Sequence, residues 1–64
     1  MKAEIWTIEQ CPYCIKAKQL LDLFRVEYKE RQGFHPDWKT VPYITIDGNP
    51  VGGFVELTSF LRNL

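Results

Sequence analysis

TIEQCPYCIKAKQLL, residues 7–21, puts two cysteines two residues apart where a short apolar strand runs into a helix. Cys11 and Cys14 are the only cysteines in the chain. Pro12 suits a first helical turn, because the backbone N–H it lacks would have had no partner there. From Pro12 to about Phe24, Cys14, Ala17, Leu21 and Phe24 recur at helical spacing on one stripe with Leu20 beside it. Lys16, Lys18, Gln19 and Asp22 fall elsewhere and are expected in solvent. The pair can hold a metal, staple the fold or exchange electrons, and the rest of the chain decides among these.

Sixty-four residues make one domain, residues 1–64, near the lower limit for folding on a core alone. The chain is 45% hydrophobic and 14% aromatic, a globular composition. Eight basic residues balance eight acidic ones, which argues against a general nucleic-acid or anionic-membrane binder. MKAEIWTI shows no apolar run of an export signal, and no stretch reaches transmembrane length. The expected compartment is therefore the cytoplasm, where a lone cysteine pair is more often catalytic or metal-binding than a staple. A bridge between Cys11 and Cys14 would also close too short a loop to restrict the unfolded chain much.

Outward from the cysteines, AEIWTI at 3–8 reads as a strand rich in β-formers and VEYKE at 26–30 as a second. QGFHPDWK, with Gly33 and Pro36, has room for a loop and one helical turn at most. VPYITI at 41–46 ends in Asp47–Gly48, a hairpin signal, and NPVG returns as a strand whose Pro50 marks a sheet edge. Residues 54–63 form a closing helix, with Phe54, Leu57, Phe60, Leu61 and Leu64 near helical spacing. The order β-α-β-(short loop)-β-β-α gives a four-stranded mixed sheet with two helices, an α/β layer.

A cysteine at the mouth of a helix faces unpaired N–H groups and the positive end of the helix dipole, and both favour thiolate over thiol. Cys11 is thus expected to have a lowered pKa. Cys14, one turn on and within the apolar stripe, is placed to resolve a mixed disulfide formed at Cys11. Structural zinc takes four Cys or His ligands, and only Cys11, Cys14 and His35 are on offer, so no metal site is expected. An iron–sulfur cluster shared between two chains, each giving one thiolate, stays open as the alternative.

CPYC at 11–14, TVP at 40–42 and GG at 52–53, in that order over nearly the whole chain, resemble a dithiol glutaredoxin of the thioredoxin fold with its second helix cut short. The resemblance implies a thiol–disulfide oxidoreductase acting on protein disulfides or glutathione mixed disulfides, with Cys11 as nucleophile and Cys14 as resolving cysteine. It implies that Tyr13 lines the groove beside the disulfide. Thr40, Val41 and Pro42 would form the substrate-pairing segment, with a cis bond before Pro42, and Gly52 and Gly53 would sit against glutathione. Glutathione would be the reductant, with no tightly bound cofactor, and the protein a monomer. A thioredoxin-reductase-like donor and ribonucleotide reductase as recipient are further implications of the same resemblance, as is a cluster held with glutathione by a dimer.

Each of these residues also has a plain reading. Tyr13 can be an exposed aromatic at a helix start, Pro42 a trans proline opening a strand, and Gly52–Gly53 a turn. His35 reads as a loop residue without a role, and Trp6 as sheet packing. The chain also departs from the family pattern. Ile8 stands where many glutaredoxins have a glutathione-pairing lysine, Tyr43 follows Pro42, and Val55 lies two past the glycines where an acid is common. Lys39 and Glu56 are the candidate substitutes. With the second helix trimmed, Phe34 and Trp38 are expected to plug the sheet face it would have covered.

Overall fold

The computed structural model describes residues 1–64. The elements are β1 (Lys2–Thr7), α1 (Pro12–Leu23), β2 (Glu27–Gln32), β3 (Tyr43–Ile46), β4 (Asn49–Gly52) and α2 (Phe54–Arg62). One sheet runs in the order β2-β1-β3-β4. β1 pairs with β2 in parallel and with β3 antiparallel, and β3 pairs antiparallel with β4. The expected mixed sheet is present, and Pro50 lies on an edge strand, where its missing N–H interrupts no ladder.

The turn chemistry explains the element boundaries. Asp47 and Gly48 both take positive φ, 51° and 83°, the pairing a two-residue hairpin needs. Asp47 also ties the hairpin to β1, its carboxylate accepting from the Lys2 N–H at 2.9 Å. β1 stops at Thr7, whose carbonyl accepts from the Gly33 N–H at 2.7 Å, so Ile8 falls outside the strand. β3 begins only at Tyr43, after a proline that has no N–H for the ladder. The Val26 N–H bonds to the Leu21 carbonyl and the Arg25 N–H to that of Asp22, with Arg25 at φ 57°. This pattern closes α1 and leaves Phe24 as the C-cap rather than a member of the buried stripe.

Side-chain alternation then separates the two faces of the sheet. Ala3, Ile5, Ile44 and Ile46 meet Ala17 and Leu21 of α1 and Leu57 and Leu61 of α2 in one buried cluster. Leu20, Tyr28, Val51 and Phe54 flank it. Phe24, Phe60 and Leu64, expected on apolar stripes, are instead exposed: Phe24 caps α1, Leu64 lies past the end of α2, and Phe60 falls beside the Leu57–Leu61 line. No helix is long and apolar enough to cross a membrane.

The opposite face, carrying Glu4, Trp6, Arg31, Tyr43 and Thr45, has no helix on it. Residues 33–42 cross it without regular structure, the shortened segment expected from the sequence. The expected plug is only half right. Trp38 stacks on Tyr43 with ring centroids 5.1 Å apart, but Phe34 is 54% exposed. After the turn at Gly33 it is His35 that reaches the sheet, 4.8 Å from Trp6 and 4.7 Å from Tyr43.

On the helix-covered face, Lys18 is not free in solvent as its place off the stripe suggested. Its ammonium lies 3.0 Å from Glu30 on β2, and the buried Thr7 hydroxyl donates to the same carboxylate oxygen at 2.6 Å. The Thr7 hydrogen bond first, and then Lys18, hold the Glu30 carboxyl below the usual carboxylate range. A depressed folded-state value stabilises the fold above the unfolded value of ~4.3, and that contribution fades as pH falls through the folded value. Glu30→Gln keeps an acceptor for Thr7 but loses the charge. It is expected to cost at most about 1 kcal/mol near neutrality, the pair being partly exposed, and nothing at a pH below the folded value. Thermal unfolding of both proteins across this range checks the convergence.

Candidate active site

Three chain segments meet at one end of the sheet because of its topology. The C-terminal end of β1 leads to Cys11, the N-terminal end of β3 follows Val41–Pro42, and the C-terminal end of β4 leads through Gly52–Gly53 into α2. Cys11 is the N-cap of α1, with extended backbone at φ −113° and ψ 100°. Its sulfur accepts a hydrogen bond from the Cys14 N–H at 3.2 Å. No acidic residue occupies the first turn of α1, so no side-chain carboxylate there competes for the helix's positive end.

Cys11 and Cys14 form a disulfide with Cα atoms 5.2 Å apart. Their environments differ as the spacing suggested. Cys14 is 2% exposed on the buried side of α1, whereas Cys11 is half-buried. Cys11 is thus the more exposed of the two residues, and Cys14 the sheltered one. Proline fills the position after Cys11, and the exposed Tyr13 comes next. The Tyr13 ring lies 5.8 Å from Phe54 at the start of α2, with the Lys16 ammonium 5.1 Å from its centroid. Tyr13 thus bridges the amino ends of the two helices.

The Val41–Pro42 peptide is cis, with Pro42 buried, Val41 half-buried and Thr40 exposed. Pro42 and the glycine pair are neighbours: a Cβ placed on Gly53 would lie 3.5 Å from the Pro42 carbonyl. Gly52 has φ 122°, which side-chain-bearing residues rarely adopt, and a Cβ there would meet the Glu56 side chain at 2.9 Å. The Gly53 N–H donates to Glu56 Oε1 at 2.8 Å. Of the two candidate substitutes for charged clamps, Glu56 is therefore already engaged in capping α2, and Lys39 is exposed. Ile8 and Val55 are exposed apolar residues.

Sequence reasoning missed His35 and the Lys18–Glu30–Thr7 group, whose contacts join residues far apart in the chain. Helical periodicity marks Lys18 as off the buried stripe but says nothing of a carboxylate on β2.

The family model described as Glutaredoxin matches residues 3–32, the span from β1 through the cysteines to the end of β2. The chain is 42% identical over 66 aligned positions to glutaredoxin 1 of Rickettsia typhi, covering 83% of this chain and 64% of that protein. It thus spans just under two thirds of that relative's length. Against glutaredoxin 1 of Rickettsia bellii the identity is 37% over 68 positions, covering 83% of this chain and 69% of the relative. In three dimensions it is similar to the crystal structure of glutaredoxin 1 from Francisella tularensis complexed with cacodylate. The TM-score is 0.85 at 28% identity, over 97% of this chain and 93% of the other. A cysteine pair at a helix mouth, a sheet of this topology and these likenesses agree: the chain belongs to the glutaredoxin family.

Proposed function

We propose that this protein is a thiol–disulfide oxidoreductase that reduces protein disulfides or glutathione mixed disulfides. The observation that carries the reading is the Cys11–Cys14 pair itself, at disulfide distance with one cysteine half-buried at a helix N-cap and the other buried. In the reduced protein Cys11 is the thiolate, favoured by the Cys14 N–H and the end of α1. It attacks one sulfur of the substrate disulfide; that S–S bond breaks, and the other sulfur leaves as a thiolate and takes up a proton. Cys14 then loses its proton and attacks Cys11 Sγ, releasing the second substrate thiol and forming the Cys11–Cys14 bond. Two electrons have passed from the protein to the substrate.

Glutathione is the proposed reductant. One glutathione thiolate opens the Cys11–Cys14 bond, leaving glutathione on Cys11, and a second displaces Cys11 and departs as glutathione disulfide. Tyr13, Thr40, Val41, Pro42, Gly52 and Gly53 are assigned to hold it. The Val41 backbone offers strand-like pairing, and the glycines permit close backbone approach. The fit is supported by Pro42 and Gly53 lying side by side next to the end of α2. The protein is proposed to act as a monomer in the cytoplasm, with ribonucleotide reductase as one recipient.

Turnover of a glutathione mixed disulfide, coupled to glutathione reductase and run beside thioredoxin reductase, tests the donor. Glutathione-driven turnover is expected. Activity with thioredoxin reductase alone would overturn the glutathione assignment, and inactivity with both would overturn the enzymatic reading.

A further inference from the structure

Residues 39–42 lie between two members of one aromatic group, the 38% exposed Trp38 and the buried Tyr43. Behind them Trp38 is stacked on Tyr43, 5.1 Å between centroids at 29°, and ahead of them Tyr43 itself follows Pro42 directly. His35 joins the same group edge-on to Trp6 at 4.8 Å and against Tyr43 at 4.7 Å, and the Arg31 guanidinium lies 5.8 Å from the Trp6 ring. The backbone follows the rings: the Trp38 N–H donates to the His35 carbonyl, and the Asp37 N–H to His35 Nδ1, both at 3.0 Å. Tyr43 is 5% exposed on a sheet face that has no helix over it. Segment 39–42 therefore leaves and re-enters one aromatic stack, which leaves its backbone few alternative paths.

We propose that His35 and Trp38 are positioning residues that hold the Val41 backbone where an incoming mixed disulfide pairs with it, in place of a covering helix. The inference rests on the substrate-pairing role given to Val41 above. The ring contacts of the stack run to β1 and β3 and none of them to α1, so the stack is expected to govern substrate binding rather than Cys11 reactivity.

Trp38→Ala and Trp38→Phe, compared with the unaltered protein, test this with two readouts. Tryptic cleavage after Lys39, inside the held segment, reports its opening without reference to activity. Trp38→Ala is expected to be cut about five- to tenfold faster under native conditions, and Trp38→Phe, which keeps a stackable ring, close to the unaltered rate. In turnover of the glutathione mixed disulfide, Trp38→Ala is expected to raise KM by about five- to tenfold with kcat within about twofold, and Trp38→Phe to restore KM. Unchanged cleavage overturns the proposal. So does faster cleavage with unchanged KM, or a fall in kcat that matches a general loss of folding. Should the unaltered protein not turn over the mixed disulfide at all, the proposed function fails, and the positioning of Val41 for substrate fails with it, whatever the cleavage rates.

Discussion

Cys11→Ser is expected to abolish disulfide reduction, by at least about a thousandfold, because a serine hydroxyl at the α1 N-cap is not ionised and makes a poor nucleophile towards sulfur. The fold should survive, since serine is among the best N-cap residues and Cys11 is only half-buried. Cys14→Ser should behave differently. In the proposed mechanism its Cys11 still captures glutathione, so turnover of glutathione mixed disulfides is expected to persist through a second glutathione, while intramolecular resolution is lost. Activity surviving in Cys11→Ser and vanishing in Cys14→Ser would reverse the two roles. Unfolding by circular dichroism separates either outcome from loss of structure.

Ile44→Ala is expected to be the most damaging single change to stability. Ile44 is fully buried on central strand β3, opposite Ile5, in the one cluster that also holds α1 and α2. Truncating such a side chain costs about 2–5 kcal/mol. A domain of this size has a total of roughly 3–10 kcal/mol at ~0.05–0.15 kcal/mol per residue. The melting temperature should drop by about 10 °C or more, and the variant can be largely unfolded at 37 °C. Val55→Ala, on an exposed position of α2, is the control and should shift it by only a degree or two. Equal melting temperatures for the two variants would show that the core does not lie where Ile44 sits.

The features visible in the sequence are those set by local chemistry. Pro12 fixed the start of α1, Asp47–Gly48 the hairpin, and the helical spacing of Cys14, Ala17 and Leu21 the buried side of α1. The sheet follows from their order, and the cysteine pair was legible as the candidate site because CPYC stands at the mouth of a helix whose apolar stripe includes Cys14. What periodicity cannot see is where a helix stops contributing. Phe24 and Leu64 continue apolar spacing past the last helical turn, where the chain has already left the core. Nor can it choose between neighbours in an irregular segment. Phe34 and His35 are adjacent, and only the backbone path after Gly33 decides that the imidazole meets Trp6 and Tyr43 while the phenyl ring points away. Trp6, His35, Trp38 and Tyr43 come from three separate stretches of chain, so their stack exists only once the sheet has formed.

The most direct measurement is the rate of iodoacetamide alkylation of the reduced protein against pH, with the urea-unfolded chain as reference. A Cys11 sulfur held as thiolate by the mouth of α1 should react several-fold to about tenfold faster near pH 7 in the folded protein than when unfolded, with Cys14 protected. Equal rates for Cys11 in the folded and unfolded chains would contradict the account at its root.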